Sequence, residues 1–461
     1  MRKYFTAIIP ANLILLLLFI STIPAYSQIS LKDKIGQMIL VGFGGTTVPD
    51  SLAYDLQNRN LGGVILYRVN IQNPAQLKNL TAQLKQLSKT PLFIATDQEG
   101  GLVARLTQYD GFSSTYSEYT LGTTFNSIDS TRAQAYKMAQ WLSSSGISID
   151  FAPVVDVDVN PSSPAIGALN RSFSKDPMTV FYHSAAFIDE MHKQNIITTL
   201  KHFPGHGSAA TDSHLGFTDI TNTWADSELI PYKQLIASNY SDMIMAGHLF
   251  NAHLDSLYPA SLSKKVITGL LRDSLGFKGV VITDDMLMGA ISTQYTFSNA
   301  IVLAVNAGDD ILLFNPGANN EVIVDSVINI ISNGVTAGTI AESLIDSAYN
   351  RIMNLKQKYL NVSSVNNEMA FSNIPKDFSL SNYPNPFNPT TNITFSINSS
   401  SHVGIKVYNI MGQLIESLVD KEVPKGSYRL QFNGSSLASG IYLVVLQTPN
   451  VLLTRKIVLL K

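Results

Sequence analysis

The sequence predicts a (β/α)₈ barrel followed by a small all-β sandwich of the immunoglobulin-like type. Two observations carry this prediction. Up to about residue 360, short apolar runs alternate with longer segments of helical periodicity, and beyond residue 391 strand-like runs follow one another with Gly, Asn, Ser and Pro between them. Residues 361–391 are rich in Asn, Ser and Pro, which is typical of a linker or an irregular domain entry. We therefore expect a barrel domain at 28–360, a linker at 361–377 and a sandwich domain at 378–461.

Eight apolar runs are predicted to form the parallel strands of the barrel. Near-continuous apolar runs are typical of strands that are covered on both faces. The runs span residues 38–44, 62–67, 92–97, 148–156, 196–202, 242–248, 279–285 and 309–314. Segments of helical period lie between them, among them 74–89, 131–146, 179–195, 264–276 and 320–334. Eight such repeats favour a closed barrel, with a doubly wound open sheet as the alternative.

Six shorter runs predict the antiparallel strands of the second domain. They span residues 392–397, 402–410, 413–419, 427–432, 440–448 and 452–460.

Composition excludes several classes of function. The chain has 461 residues, 45% of them hydrophobic, and a formal net charge of −2, so it can bury a large core and has no electrostatic reason to bind nucleic acid or an anionic membrane. It contains no cysteine, which excludes disulfides, thiolate catalysis and cysteine-ligated zinc. We expect no cofactor and no metal.

The first 27 residues have the pattern of a secretory signal peptide. Two cationic residues precede an apolar run, and Ala25 and Ser27 place small side chains before Gln28. The alternative is a membrane anchor, because residues 4–23 are long enough to span a bilayer. Pro10, Asn12 and the small residues at the end of the run favour cleavage, and we expect the mature protein to be exported without a stable membrane span.

Polar residues cluster where the predicted strands end. In a (β/α)₈ barrel, active-site residues lie at the carboxyl ends of the strands and in the loops that follow. Asp residues such as Asp156 and Asp285 could instead cap the next helix. That alternative does not account for a lysine and two histidines at strand ends. The residues in question are Asp97, Asp156, Lys201, His202, His248, Asp284 and Asp285.

The segment TLKHFPGHGSAATDSHLG, residues 199–216, has two possible chemistries, metal binding and acid–base catalysis, and the alternative to both is a surface loop with a solvated histidine. A metal site could use histidines on a helix, or it could be completed on a loop by Asp212 and His214. His202 and His206 have the spacing of a helical metal site, but Pro204 and Gly205 between them prevent that helix. The other chemistry is acid–base catalysis. In an extended loop, Asp212 and His214 would lie on the same side, and the carboxylate would orient the imidazole for proton transfer.

The remaining polar residues are those that a sugar-cleaving pocket requires. Asp284 emerges from an apolar strand as a candidate nucleophile or stabiliser of a cationic centre. Candidate partners for sugar hydroxyls are Asp97, Arg105, Arg171, Lys201 and His202.

Four segments together resemble glycoside hydrolase family 3, and within it the β-N-acetylhexosaminidase branch known as NagZ. They are DQEGGLVARL, NRSF, KHFPGHG followed by DSH, and GVVITDDMLMGAI. The resemblance implies that Asp284 is the nucleophile, that His214 is the acid/base and that Asp212 is its partner on a mobile loop. It implies sugar contacts for Asp97, Arg105, Arg171, Lys201 and His202, and a supporting polar contact for His248. The implied mechanism is retaining, through a covalent glycosyl-enzyme.

The C-terminal segment resembles a second family, the type A sorting domain of type IX secretion. The motifs are YPNPFNPTT, VYNIMGQLIESL, LASGIYLVVL and TRKIVLLK. This implies passage through the periplasm to the cell surface or beyond, with the secretion machinery as a partner. The alternative is a carbohydrate-binding sandwich, although we find no aromatic platform beyond scattered tyrosines.

The function expected is an exported exo-β-N-acetylglucosaminidase acting on peptidoglycan or chitin-type fragments. A phosphorylase that uses phosphate as acceptor is the main alternative. Another β-glycosidase of the same family and a non-catalytic glycan-binding protein remain as further alternatives. A metal hydrolase would lose activity when a chelator is added, and we expect this protein to keep its activity under that condition.

Overall fold

The computed structural model describes residues 29–316, 323–360, 379–397, 400–409, 413–424, 426–449 and 451–460. These residues form two compact units, one up to residue 360 and the other from residue 379 on. The predicted signal peptide and the predicted linker lie outside the described residues. Within the described ranges, no helix has the length and apolar character needed to cross a membrane.

The first unit is the closed barrel that the sequence predicts. Its eight strands are all parallel and follow chain order around the barrel, which closes where Ile39 in the first strand pairs with Leu312 in the last. The open-sheet alternative is therefore wrong. The strands are β1 (Ile39–Gly42), β2 (Gly63–Leu66), β3 (Phe93–Thr96), β4 (Ile149–Asp150), β5 (Ile197–Phe203), β6 (Met243–Ala246), β7 (Val280–Asp285) and β8 (Ile311–Phe314).

Helices surround the barrel, including all five that the sequence analysis placed between strands. Prolines and small polar caps mark several starts: Pro74 and Pro177 stand in first turns, after the side-chain caps of Asn73 and Asp176. The α-helices are Leu31–Gln37, Asp50–Asn58, Pro74–Leu87, Ile128–Ser144, Pro177–Lys193, Ile230–Ala237, Gly289–Ser292, Phe297–Ala307, Ile323–Thr336 and Glu342–Tyr359, with a π-helix at Lys265–Ser274.

Strand β4 is much shorter than the sequence predicts. Residues 148–156 were expected to be extended throughout, but only Ile149 and Asp150 pair with both neighbouring strands. Pro153 has no N–H to donate to a ladder, and the next amide, that of Val154, donates to Oε1 of Glu118 at 3.0 Å. Beyond Asp150 the chain keeps separate hydrogen bonds to β5, from the Thr199 amide to the Ala152 carbonyl and from the Val155 amide to the Lys201 carbonyl. It therefore continues beside β5, and Asp156 follows at the carboxyl end of the barrel.

The amino end of the barrel is closed by a buried lysine. Lys356, on the helix Glu342–Tyr359, donates from Nζ to Oε1 of Gln37 at 2.7 Å and to the carbonyl of Gly62 at 2.8 Å. Burial away from any carboxylate partner in the described structure holds the pKa of Lys356 well below its ordinary value. The last barrel helix is thus attached directly to the entry of β2.

The second unit is a two-sheet sandwich, as predicted. Its strands are β9 (Ser379–Tyr383), β10 (Thr390–Ile397), β11 (Ser401–Asn409), β12 (Leu414–Val423), β13 (Gly426–Asn433), β14 (Gly440–Gln447) and β15 (Leu452–Leu459). One sheet has the order β9-β10-β13 and the other β12-β11-β14-β15, with every pair antiparallel. Sequence analysis missed β9, because its residues SLSNY are mostly polar and lie at the end of a stretch with linker composition.

Alternating side chains fill the sandwich core. Along β11, Val403, Ile405 and Val407 are buried while their neighbours are partly exposed, which is the period-two pattern of a strand with one core face.

Replacing Gly62 by alanine should destabilise the barrel. A β-carbon at this position would lie 2.1 Å from the backbone oxygen of Gln37. Because backbone must move to relieve the overlap, we expect a loss of about 2 kcal/mol or more in the free energy of unfolding. The readout is urea unfolding followed by tryptophan fluorescence, which reports on the barrel because both tryptophans, Trp141 and Trp224, belong to it.

Gly269→Ala is the matched control, since a β-carbon at Gly269 would have its nearest neighbour at 3.9 Å. Equal stabilities for the two variants would contradict the prediction.

Candidate functional site

A pocket of about 470 Å³ opens at the carboxyl end of the barrel. It collects eight of the nine residues to which the sequence analysis gave a role. They are Asp97, Arg105, Arg171, Lys201, His202, Asp212, His214 and Asp284. The ninth, His248, does not line the pocket. Strand ends and loops that are distant in sequence thus meet at one place, as a parallel barrel requires.

A buried lysine organises the floor of the pocket. Nζ of Lys201, whose side chain is 2% exposed, lies 2.9 Å from Oδ1 of Asp97 and 2.7 Å from Oε1 of Glu99. The second oxygen of Asp97 accepts from Nη2 of Arg105 at 3.0 Å. Asp97 and Arg105, expected as separate contacts to sugar hydroxyls, therefore form an ion pair with each other.

Arg171 binds the same floor from the other side. It donates from Nε and Nη2 to the two oxygens of Glu99 at 2.8 and 2.7 Å, a two-bond geometry that fixes the guanidinium plane. A third nitrogen donates to the carbonyl of Ala165 at 2.8 Å. Sequence analysis missed Glu99. The signal available was its position two residues after Asp97, within DQEGG.

Mutual neutralisation keeps these buried groups ionised. Burial raises the pKa of Asp97, but the nearby cations Lys201 and Arg105 outweigh burial and hold the pKa well below its ordinary value. Burial lowers the pKa of Lys201, and Asp97 and Glu99 reverse that effect, so its pKa is raised. The floor is therefore a set of fixed charges that present hydrogen-bond donors and acceptors to a polar ligand.

Asp156 supports the segment that follows β5. Its buried carboxylate accepts the amides of His202 and His206, at 3.1 and 2.8 Å, and lies 2.7 Å from Nδ1 of the His202 ring. The helix-capping interpretation of Asp156 is wrong, because its partners are on β5 and the turn after it. With Nδ1 occupied, the other ring nitrogen of His202 remains for the pocket, 3.4 Å from Nη2 of Arg171.

The pair formed by Asp212 and His214 is present. Oδ1 of Asp212 lies 2.7 Å from Nδ1 of His214 and also accepts the His214 amide at 3.0 Å. The extended loop that we expected is wrong, because the amide of Leu215 donates to the carbonyl of Asp212 and closes a tight turn. The His214 side chain is 59% exposed, so its Nε2 edge is accessible from the pocket mouth.

Asp284 is the carboxylate at the end of β7. Burial raises its pKa, but the imidazoles of His248, His202 and His214 outweigh burial and hold the pKa below its ordinary value. The amide of Asp285 donates to its Oδ1 at 2.8 Å, which leaves Oδ2 for a ligand. An ionised, oriented carboxylate in a pocket is suited to act as a nucleophile or to stabilise a cation.

The neighbouring residues hold the Asp284 backbone in place. Asp285 accepts the amides of Leu287 and Asn315, both at 3.1 Å, rather than capping a regular helix. Burial, with the charge of Asp284 adding to it, raises the pKa of Asp285 to about 6. His248 is buried, joined to Ser261 through Nδ1 and to the carbonyl of Asp285 through Nε2 at 2.9 Å. His248 therefore supports the strand end from behind.

Among the residues that the structure describes, no group of three or more His, Cys, Asp or Glu side chains has the geometry to hold a metal ion. The segment after β5 is not helical between His202 and His206, as expected from Pro204 and Gly205.

Comparison with known proteins places both units. The model of the glycosyl hydrolase family 3 N terminal domain matches residues 30–355, and that of the secretion system C-terminal sorting domain matches residues 381–460. The chain is 32% identical over 338 residues to beta-hexosaminidase A of Pseudoalteromonas piscicida, a match that covers 68% of this chain and 56% of that protein. It is 34% identical over 296 residues to a beta-hexosaminidase of Tolumonas auensis, covering 63% of this chain and 85% of the relative.

A solved structure has the same barrel. The glycoside hydrolase family 3 beta-N-acetylglucosaminidase from a Paenibacillus species superposes with a TM-score of 0.68 at 31% identity, over 75% of this chain and 65% of that one. The chain thus spans about half the length of the first of these relatives and less than two thirds of this structure.

The turn behind the pocket should make stability depend on pH. Glu228 accepts the amides of Ser208 and Ala225, and burial raises its pKa to about 7 from an ordinary value of 4.5. Since the folded chain holds this proton more tightly than the unfolded chain, the contribution is complete below about pH 4.5 and is lost as the pH rises through about 7. We expect the free energy of unfolding of the wild type, relative to Glu228→Gln, to fall across that window. A difference independent of pH in urea titrations from pH 4 to 8 would show that Glu228 does not titrate there.

Proposed function

We propose that this chain, which belongs to glycosyl hydrolase family 3, is a retaining exo-β-N-acetylglucosaminidase that releases terminal β-linked N-acetylhexosamine from peptidoglycan or chitin-type fragments. The observation that carries the proposal is one pocket lined by the ionised Asp284, the Asp212–His214 pair and a floor of fixed charges. The names of the relatives, beta-hexosaminidase and beta-N-acetylglucosaminidase, support the choice of sugar.

In the first step, Asp284 attacks the anomeric carbon as the bond to the leaving oxygen breaks. Asp212 faces Nδ1 of His214, so a protonated His214 directs the N–H of Nε2 toward the pocket mouth and delivers that proton to the leaving oxygen. The products of this step are a glycosyl ester of Asp284, a neutral imidazole and a free alcohol.

In the second step, neutral His214 accepts a proton from water at Nε2 while the water oxygen attacks the anomeric carbon. The ester bond to Asp284 breaks, and both groups return to their starting states. Two inversions at one carbon give net retention of configuration. The Asp212 carboxylate at Nδ1 holds the imidazole in one orientation through both steps.

Substrate binding is assigned to the charged floor. Asp97, Lys201, Arg171 and His202 have polar atoms that line the pocket, and their ion pairs hold these atoms in place before a ligand enters. A preformed set of donors and acceptors recognises sugar hydroxyls at low cost in side-chain entropy.

Export is assigned to the C-terminal unit. Its match to a secretion system sorting domain supports delivery by the type IX machinery, after passage through the periplasm, to the cell surface or the medium. The substrates would then be glycans outside the cytoplasm, as peptidoglycan and chitin fragments are.

The test is hydrolysis of an aryl β-N-acetylglucosaminide by the full chain. We expect wild-type protein to release the aryl group with a β-configured sugar as first product, and Asp284→Asn to lower kcat by about 1000-fold or more. Asp273→Asn, an exposed residue on the π-helix Lys265–Ser274, is the matched control and should retain wild-type rates. Inactive wild-type protein, an α-configured first product, or an active Asp284→Asn variant would overturn the assignment.

Phosphate added to the same reaction distinguishes the alternative acceptor. A neutral imidazole repels an anionic acceptor less than a carboxylate would, so phosphorolysis is chemically accessible to this pair. We expect free sugar as the product with phosphate present, and formation of glycosyl phosphate would reassign the chain as a phosphorylase.

A further inference from the structure

The loop that carries His214 rests on the turn that follows Asp284. The amide of Gly289 donates to the carbonyl of His214, and the amide of Ala290 donates to the carbonyl of Ser213, both at 3.2 Å. These hydrogen bonds join main chain to main chain across a gap of about 75 residues in sequence. His214 and Asp284, the two groups assigned to the reaction, thus belong to chain segments that this contact joins.

Ser213 is the anchored residue of this loop. It is buried, and its hydroxyl lies 3.1 Å from Nε2 of His206 in addition to the bond from Ala290. The two residues that follow it are exposed to solvent: the His214 side chain is 59% exposed and Leu215 is 83% exposed. The loop is therefore attached at Ser213 and at the His214 carbonyl while the imidazole reaches outward.

Close approach at this contact depends on the absence of a side chain at position 289. A β-carbon on Gly289 would lie 2.8 Å from the carbonyl carbon of Leu215, 2.9 Å from its oxygen and 3.0 Å from the amide nitrogen of Gly216. All three atoms are backbone, so the overlap could be relieved only by separating the main chain of the loop from the main chain around Gly289. The φ of Gly289 is not in the left-handed region, so alanine is excluded by this contact and not by backbone strain.

We infer that Gly289 is a positioning residue that holds the His214 loop at a fixed position relative to Asp284. The proton donor and the nucleophile can then act on the same glycosidic bond. The inference rests on the proposed function. The segment that carries Asp284 thus holds the loop that carries His214. The fit at Gly289 sets the distance between the His214 imidazole and the Asp284 carboxylate. A displacement of about 1 Å in a catalytic group can reduce a rate about 100-fold.

The leaving group distinguishes this role from a general structural one. Departure of 2,4-dinitrophenolate needs almost no proton, whereas departure of an alcohol or a second sugar needs a well-placed acid. In Gly289→Ala we expect kcat/KM for chitobiose to fall about tenfold or more, and kcat/KM for the dinitrophenyl glycoside to change by less than about threefold.

Azide provides a second readout. The variant should also show a lower kcat on the dinitrophenyl glycoside, because release of the sugar from Asp284 needs the base. Azide attacks the anomeric carbon without a base, displaces the Asp284 carboxylate and forms a β-glycosyl azide, so it should restore kcat. Equal losses on both substrates, unchanged kinetics on chitobiose, or no response to azide would overturn the inference.

Gly216→Ala is the matched control in the same loop. A β-carbon there meets no atom within 4 Å, so this variant should keep both kinetic constants within about twofold of wild type. If kcat/KM for chitobiose fell as much in Gly216→Ala as in Gly289→Ala, the loop would tolerate no added methyl group at either position. That result would contradict a specific role for Gly289.

Hydrogen exchange separates failure of this inference from failure of the proposed function. The amides of Gly289 and Ala290 are protected by the loop carbonyls, so Gly289→Ala should speed exchange in peptides covering 286–292 and 209–217, while Gly216→Ala should not. This measurement needs no substrate. If wild-type protein cleaved no glycoside, the proposed function would fail, and unchanged exchange in Gly289→Ala would independently refute the positioning role.

Discussion

The pocket depends on one buried carboxylate, that of Asp156. It binds the amide and ring of His202 and the amide of His206, so a single side chain fixes the end of β5, an imidazole in the pocket and the start of the loop that follows. A buried carboxylate without such donors would be costly, which makes this arrangement strongly preferred over a looser one. His206 then extends the support to Ser213, which stands between Asp212 and His214.

The irregular segment that follows β4 brings Asp156 to this position. After Asp150 the chain no longer pairs with both neighbouring strands, but the Ala152 carbonyl and the Val155 amide still bond to β5. Strand pairing is also irregular between Leu200 and Phe203 and between Ile282 and Asp285, so several strand ends at the site depart from a regular ladder. Regular strands supply the framework, and the irregular segment supplies the support for the pocket.

Much of the barrel and most of the residues that line the pocket could be predicted from the sequence. The eight apolar runs were distinctive because both faces of each strand are buried, and Asp97, Lys201 and Asp284 stand out because they interrupt or end such runs. What could not be predicted depends on contacts distant in sequence. Glu99 pairs with Arg171 across 72 residues and Asp156 with His202 across 46, and no local pattern specifies either pairing. The turn at Asp212–Leu215 was missed because an Asp-x-His spacing fits an extended strand and a tight turn equally well.

The contact between the His214 loop and Gly289 is made of backbone atoms, and this affects how such a site can diversify. Amide-to-carbonyl bonds do not depend on which side chains the loop carries, and Leu215 is 83% exposed. Substitutions at Leu215 therefore leave these two backbone hydrogen bonds in place. The exposed tip of this loop is therefore free to vary in sequence while the imidazole of His214 stays attached.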